Sequence, residues 1–187
     1  AEALTRLETV SDQARQELAA RDAAFETALA AAQNFYDADD HEQAADRIAR
    51  ARQLNSTSED ARDLEARVAR LPEVLTAIGK AAVARIENDL EAEDRHLSTA
   101  LSLDPARTEL AERQTQIRTQ LQESRFAAQI ESGFSNVLSR KLGAARTNLK
   151  NARAIYSGRS EVGLLSRKID ALDQQLKFET LMAKAGS

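Results

Sequence analysis

The sequence lacks several residue types that define other classes of protein. It has no cysteine and no tryptophan, and only two prolines and six glycines among 187 residues. The absence of cysteine excludes disulfides, thiolate metal sites and a cysteine nucleophile, and it fits any cellular compartment. Aromatic residues make up only 4% of the chain, against 42% hydrophobic residues. This profile is typical of a helical protein rich in Ala, Leu, Arg and Glu, and it predicts almost no β-strand.

Long apolar runs are also missing. None approaches the roughly 20 residues that cross a membrane, so we expect no direct membrane insertion. The chain starts without Met and ends Ala185, Gly186, Ser187, which indicates a piece of a longer precursor. The location is therefore weakly constrained, and a bacterial periplasmic or envelope-associated protein is a hypothesis only.

Charge is unevenly distributed along the chain. The formal net charge is -4, which argues against a general nucleic-acid binder, so no nucleic-acid partner is expected. Residues 124–187 contain eleven Lys or Arg and five Asp or Glu, a net of +6, so residues 1–123 carry -10. The C-terminal third is basic, and the rest is acidic.

One fourteen-residue pattern occurs three times, with steps of three, four, three and three residues. Its copies are His41, Ala44, Ile48, Ala51 and Leu54; Leu90, Glu93, Leu97, Ala100 and Leu103; and Leu142, Ala145, Leu149, Ala152 and Ile155. This spacing places the side chains on one face of a short helix. Such a unit cannot bury that face without a neighbour, so the pattern predicts stacked helical repeats.

Longer amphipathic segments separate the short helices, so the chain is predicted to alternate long and short helices. The segment after Glu59 is heptad-like, with Ala61, Leu64, Val68, Leu71, Leu75, Ile78, Ala82 and Ile86. Pro72 lies inside it and predicts a kink or break near residues 70–72, because proline cannot donate the helical hydrogen bond. A last segment, from Val162 to Leu176, is expected to cover the end of the stack.

Helix boundaries are predicted from capping residues. Residues 39–42 and 88–91 match capping boxes, led by Asp39 and Asn88, and they lie 49 residues apart. Asp104 is a candidate N-cap with Pro105 as the first helical residue behind it. The 49-residue spacing of the two capping boxes equals the spacing of the first two copies of the fourteen-residue pattern.

These features resemble the tetratricopeptide repeat family. Ala100, Leu101, Leu103, Asp104 and Pro105 match the end of that family's second helix, as do Ala51 with Leu54 and Asn55 and, less closely, Ala152 with Ile155. The family needs a small residue where its two helices cross, and Ala32, Ala81 and Gly133 each stand twelve residues before the second residue of a repeat. The family's Trp and Tyr are absent, and Glu93 replaces a small residue.

The resemblance implies an all-α fold, a right-handed stack of helical hairpins with lengthened first helices and no β-sheet. The expected organisation is a single domain over 1–187, with units at roughly 23–58, 73–107 and 125–160. A helix over 1–22 precedes them, and a capping helix over 160–184 follows. A three-helix or spectrin-like bundle has the same periodicity and stays an alternative.

The resemblance also implies a noncatalytic scaffold that binds a partner protein or peptide through a concave groove. The first helices would line that groove with Leu29, Gln33, Ile78, Ala82, Ile130 and Phe134. These residues are mainly apolar, so the groove either accepts an apolar peptide or is buried as core, and we favour burial. A basic stripe of Arg146, Lys150 and Arg153 could bind an acidic protein segment, or could be a solvated helix face.

Chemistry at a metal or catalytic centre is not expected. Asp37, Asp39, Asp40, His41 and Glu42 form a dense polar cluster, but it lacks the Gly and the distant Glu of a calcium loop. Carboxylates at a turn between helices more often cap the following helix. With no phosphate-binding glycine loop and no serine elbow, we predict no enzyme activity, no metal ligands and no cofactor.

Two other functions stay open. The chain could be a structural spacer of a larger protein that dimerises through heptads at residues 4–25 or 165–176, so its oligomeric state is monomer or dimer. The C-terminal basic stripe could instead bind anionic lipid or nucleic acid, although aromatic stacking residues are sparse.

Overall fold

The computed structural model describes the backbone of residues 2–185 and all side chains in that range except those of residues 2–5, 7 and 8. The described chain forms seven α-helices and contains no β-strand, so the all-α prediction is confirmed. The helices are α1 (Glu2–Asp37), α2 (His41–Leu54), α3 (Glu59–Ile86), α4 (Leu90–Leu103), α5 (Thr108–Leu138), α6 (Leu142–Ile155) and α7 (Ser160–Ala185).

The helices alternate in length as the sequence pattern predicts. α2, α4 and α6 each have 14 residues, and α1, α3 and α5 have 36, 28 and 31. The three short helices therefore coincide with the three copies of the pattern. All the length differences between repeats lie in the long helices.

The same turn closes each long helix before its short partner. Asp39, Asn88 and Arg140 have φ of 61°, 57° and 57°, the left-handed conformation that ends many helices. The backbone N–H of the next residue donates to the carbonyl five positions earlier, as from Asp40 N to Phe35 O at 2.9 Å. Asp89 N to Ala84 O at 2.9 Å and Lys141 N to Asn136 O at 2.8 Å are the equivalent bonds. The three hairpin turns are thus one structural motif.

The predicted capping boxes are wrong by one residue. Asp40, not Asp39, caps α2, because its side chain accepts from Gln43 N at 3.1 Å. Asp89, not Asn88, caps α4 in the same way, accepting from Ala92 N at 2.8 Å. The left-handed residue occupies the position before each cap, which shifts the cap forward along the chain.

Four-residue loops follow the short helices, at residues 55–58, 104–107 and 156–159. Their first residues, Asn55, Asp104 and Tyr156, share an extended backbone with φ of -141°, -139° and -143°. The prediction that Pro105 begins a helix is wrong, since α5 begins at Thr108. Asp104 is the C-cap of α4, and the loop needs three further residues before the next helix starts.

The predicted break at Pro72 is absent, because α3 is one helix from Glu59 to Ile86. Leu71 and Val74, on either side of the proline, are fully buried. Packing of this apolar face supports the helix across the missing backbone hydrogen bond.

The chain divides into two compact units, unit 1 up to Gln114 and unit 2 from Thr115. In unit 1, α1 packs on α2 and α3, and α3 packs on α2 and α4. Residues 115–187 contain twelve Lys or Arg and six Asp or Glu, a net of +6. The total of -4 therefore leaves -10 for residues 1–114, so the two units carry opposite net charges.

The core of unit 2 is formed by α5, α6 and α7, including Phe126, Leu149 and Leu165. Gly133 lies against Leu165, so closely that a Cβ at Gly133 would be 2.5 Å from Leu165 Cδ2. The equivalent residues of unit 1, Ala32 and Ala81, are also buried. Small residues thus occupy the three crowded positions that the sequence indicates.

One equivalent position differs between the repeats. Ala44 and Ala145 are fully buried among apolar residues, whereas Glu93, also fully buried, takes their place in α4. Its carboxylate accepts from Arg85 Nε at 2.7 Å and from Arg113 Nε at 2.9 Å. At the positions equivalent to these two arginines, the first repeat has Tyr36 and Leu64 and the third has Val137 and Leu165. The middle repeat replaces an apolar contact by a buried ion pair.

Candidate functional site

The groove residues predicted in unit 1 have mixed environments. Leu29 is partly buried against the core, and Gln33 Nε2 donates to Asp37 Oδ1 at 2.7 Å. Both line a small cleft of about 350 Å³ between α1 and α3. Ile78 is partly buried against the core of α3 and α4, and Ala82 is exposed. Neither Ile78 nor Ala82 is among the residues that line the cleft.

The groove residues predicted in unit 2 belong to its core. Ile130 is 8% exposed, and Phe134 is partly buried against the same cluster. Their side chains pack against α6 and α7 residues of that cluster. This packing agrees with burial, the alternative that the apolar pattern favours.

The predicted basic stripe lies on α6, and two of its three cations contact α7. Arg146 Nη2 is 3.3 Å from Asp173 Oδ2, and Arg153 Nη2 donates to Ser166 Oγ at 3.0 Å. Lys150 is exposed. Most of the stripe therefore contributes to the contact between α6 and α7.

An open groove runs along the seam between α3 and α4, and sequence analysis did not identify it. We call it the α3–α4 groove. It consists of two adjoining stretches of about 500 and 410 Å³ that share Thr76, Lys80 and His96. The α3 side adds Ala77, Gly79, Val83 and Ala84, and the α4 side adds Ala92, Thr99, Ser102 and Leu103.

Glu73 and Glu87 line the two ends of the α3–α4 groove. Glu73 is on α3 and Glu87, fourteen positions later, is the C-cap of that helix, so the groove is about 21 Å long. Its side chains are mainly small, and Val83 offers an exposed apolar group, with 55% of its surface accessible. The groove is therefore long and open, with polar side chains beside the buried Ala77 and Ala84.

A local signal for this groove exists in the sequence. Ala77, Gly79, Ala84 and Ala92 are small residues within two helices of one hairpin. The buried-face pattern selects the residues that face the core and passes over the seam beside it. Ala77 and Ala84 are themselves buried, so small residues both at core positions and beside them are the feature that would have indicated the groove.

A second cleft, of about 280 Å³, lies where α1, α3 and the loop before α5 meet. The Tyr36 hydroxyl donates to the buried Asp104 carboxylate, and Arg107 Nε donates to the same oxygen at 3.0 Å. Arg107 Nη2 also donates to Asp39 Oδ1 at 2.7 Å. The Arg67 guanidinium carbon lies 4.5 Å from the centre of the Tyr36 ring, a cation–π contact.

Charges in this cleft are largely compensated internally. Burial opposes ionisation of Asp104, but hydrogen bonds from Tyr36 and Arg107 outweigh it and lower the pKa of this carboxyl. Burial and the bond to Asp104 raise the pKa of Tyr36. Hydrogen bonds to Asp39 and Asp104 likewise outweigh burial and raise the pKa of Arg107. This arrangement joins three elements of unit 1 and leaves Asp104 ionised at neutral pH.

Unit 2 has a related contact at the equivalent loop. Arg159, which corresponds to Arg107, pairs with Glu123 and lies 4.2 Å from the centre of the Tyr156 ring. Tyr156 in turn packs edge to face on Phe126, with ring centres 5.4 Å apart, a separation typical of aromatic pairs. In unit 1, Arg107 joins the end of α4 to the turn after α1. In unit 2, Arg159 joins the loop after α6 to α5.

The acidic cluster at the first turn is used in capping and ion pairing. Asp40 caps α2, and Asp39 pairs with Arg107. Among the side chains that the structure describes, no three His, Asp or Glu residues lie close enough together to hold a metal ion. Within residues 2–185, no helix combines the length and apolar character needed to cross a membrane.

Comparison with known proteins adds no family assignment. No family model matches the chain, and no curated protein or solved structure matches it either.

Proposed function

We propose that this chain is a noncatalytic scaffold that binds a helical segment of a partner protein in the α3–α4 groove. The observation that carries the proposal is the groove itself, an open seam of about 500 and 410 Å³ lined by two antiparallel helices. We also propose that its hairpins stack in the right-handed, tetratricopeptide-like manner. The repeated turns at Asp39, Asn88 and Arg140 support related hairpins.

The shape of the groove favours a helix over an extended peptide. Helices pack at interaxial distances of about 8–10 Å, and small residues at the contact permit the closer approach. Ala77, Gly79 and Ala92 supply this surface, and no side chain lies within 4 Å of the position a Gly79 Cβ would take. An amphipathic helix in such a groove contacts it with apolar residues spaced three and four apart.

The polar side chains of the groove would fix the position of the bound helix. Lys80 and His96 face the same stretch from opposite helices, and Glu73 lies at one end. Charged groups at the rim of an interface contribute to orientation and selectivity more than to affinity. The partner segment is therefore expected to combine an apolar face with flanking charges.

Substitution of Thr99 tests this function. Thr99 is exposed in the groove and donates to Arg95 O at 3.1 Å, and Thr27 is exposed on α1 with an equivalent bond to Ala23 O at 2.8 Å. Thr99→Arg fills the groove, and Thr27→Arg is the matched control with the same change in charge. Proteins captured from a lysate of the source cells are identified, and the bound segment is titrated against all three forms of the chain.

The expected result is a Kd at least about tenfold higher for Thr99→Arg, which corresponds to about 1.4 kcal/mol, and no change for Thr27→Arg. A proline placed within the captured segment should also abolish binding, because it breaks the helix. Partners that bind Thr99→Arg as tightly as the unaltered chain would refute the groove as the binding site.

A second candidate function is a spacer that oligomerises through the first half of α1. Residues 9–24 of this helix are all exposed, including Val10 at 62% and Leu18 at 59%. The other heptad candidate is used in the core, since Leu165 and Ile169 are buried in unit 2. Sedimentation of Leu18→Glu tests this function, because loss of association in that variant would assign it to α1.

A further inference from the structure

The last turns of α7 carry apolar side chains that its own unit does not bury. Phe178, Leu181 and Met182 are 62%, 65% and 58% exposed. We call these three residues the α7 patch. Scattered exposed apolar residues are common, but three on one helix face form a patch of the kind found at interaction sites.

The α7 patch lies on the face opposite to the core of unit 2. Leu165, Ile169 and Leu172 are buried and define the inner face of α7. At about 100° per residue, the patch is centred about 150° around the helix from them. Because a helix cannot turn both faces to one core, only another molecule or another segment can cover the patch.

The two units that carry the patch and the groove have net charges of opposite sign. The patch belongs to the unit with net +6, and the α3–α4 groove belongs to the unit with net -10. Lys177 and Lys184 flank the patch, Lys177 also pairing with Asp173 at 2.8 Å within α7, and Glu73 and Glu87 lie at the ends of the groove. Lys80 lies between the two glutamates, where its aliphatic stem can cover apolar side chains while its ammonium stays in water.

We propose that the C-terminal turns of α7 from one copy of this chain dock in the α3–α4 groove of a second copy. This inference rests on the groove proposed above and names its occupant as a second copy. The contact is head to tail, so a pair of copies keeps a free groove on one copy and a free patch on the other. Such contacts extend into chains of copies as concentration rises. The small size of the patch makes the association weak and dependent on concentration.

Sedimentation velocity across a concentration series tests the proposal. The unaltered chain is expected to gain average mass as its concentration rises, and to lose that gain at about 0.5 M salt, where charge attraction is screened. Phe178→Glu removes the patch, and Thr99→Arg blocks the groove. Each variant alone should stay monomeric, and Thr27→Arg and Leu18→Glu should behave as the unaltered chain. Far-UV circular dichroism and the urea midpoint check that each variant is folded. If Phe178→Glu does not fold, Phe178→Ala is used in its place.

Mixing the two interface variants gives the decisive measurement. Phe178→Glu keeps a working groove and Thr99→Arg keeps a working patch, so the mixture should form a 1:1 complex and nothing larger. A chain that stays monomeric at every concentration overturns the inference. Association that Thr99→Arg leaves intact overturns it as well, because it assigns the contact to a symmetric pairing of patches, or to α1 if Leu18→Glu abolishes it.

The outcome is separable from that of the proposed function. A monomeric chain whose groove still binds a captured foreign helix leaves the proposed function standing and removes only self-association. A 1:1 complex of the two variants, with no foreign segment dependent on Thr99, supports self-association and removes the foreign partner.

Discussion

Arg113 of α5 holds the buried carboxylate of Glu93 of α4 with two hydrogen bonds, of 2.9 Å from Nε and 3.0 Å from Nη2. The side chain of Glu93 is fully buried, whereas that of Arg113 is 28% exposed. This geometry matches the fork of a guanidinium to both oxygens of a carboxylate, which is the strongest form of the pair. The contact fixes the start of α5 on the hairpin that carries the α3–α4 groove.

Loss of Arg113 should destabilise unit 1. Arg113→Ala leaves the buried Glu93 carboxylate with Arg85 as its remaining arginine, and we expect a loss of about 2–4 kcal/mol in the free energy of unfolding. The double variant Glu93→Ala with Arg113→Ala should lose less than the sum of the single variants, by about 1–3 kcal/mol. Urea unfolding of the four proteins measures this coupling, and strictly additive losses would contradict it.

The same ion pair predicts a dependence of stability on pH. Hydrogen bonding from Arg113, joined by Arg85, outweighs burial and holds the pKa of Glu93 below its ordinary value of 4.5. A lowered pKa in the folded state stabilises the fold above the unfolded pKa, and this contribution is lost as pH falls through the folded value. Unfolding free energy should therefore drop between about pH 5 and pH 3, and Glu93→Gln should show a smaller drop. Equal pH profiles for both proteins would exclude Glu93 as the cause.

Gly133 and Gly79 should respond in opposite ways to alanine. A Cβ at Gly133 meets Leu165 Cδ2 at 2.5 Å, and Leu165 is fully buried, so Gly133→Ala should cost about 1–2 kcal/mol through overpacking. Gly79 has no neighbour within 4 Å of such a Cβ, so Gly79→Ala should gain up to about 1 kcal/mol from helix propensity. Thermal and urea unfolding compare the two, and a destabilised Gly79→Ala would count against the open space there.

Lys141 is the one N-cap among the three short helices whose side chain makes no capping hydrogen bond. Lys141→Asp places at α6 the residue that caps α2 and α4, and it should stabilise unit 2 by about 0.5–1.5 kcal/mol. The reverse change, Asp89→Lys, should destabilise unit 1 by a similar amount because Ala92 N loses its acceptor. Urea midpoints of both variants provide the test, and a Lys141→Asp midpoint below that of the unaltered chain would oppose it.

The helices were predictable because burial sets a strong periodic signal. Ile48, Leu97 and Leu149 recur at equivalent positions and are all buried, and the helices that carry them have the expected length. The caps were predicted one residue early. The left-handed position at the end of a helix is usually a glycine, which can be recognised in the sequence, but here Asp39 and Asn88 adopt that conformation.

Features that depend on contacts distant in sequence were not predictable in the same way. Glu93 looks like a misplaced charge within its helix, and its arginines lie eight residues before it and twenty after it. The α3–α4 groove was not predicted for a related reason, since Thr76 and Thr99 line the same groove only after the hairpin folds. Local patterns identify what a helix buries, and pairs of helices determine what stays open.

The charge at Glu93 also bears on how a chain of similar repeats assembles correctly. If α4 occupied the place of α2 or α6, Glu93 would face Tyr36 and Leu64, or Val137 and Leu165, instead of two arginines. Burial of an uncompensated carboxylate costs several kcal/mol. Swapped hairpins are a characteristic misfolding error of repeat proteins, and this single ionic position penalises them, so the middle hairpin is not interchangeable with its neighbours.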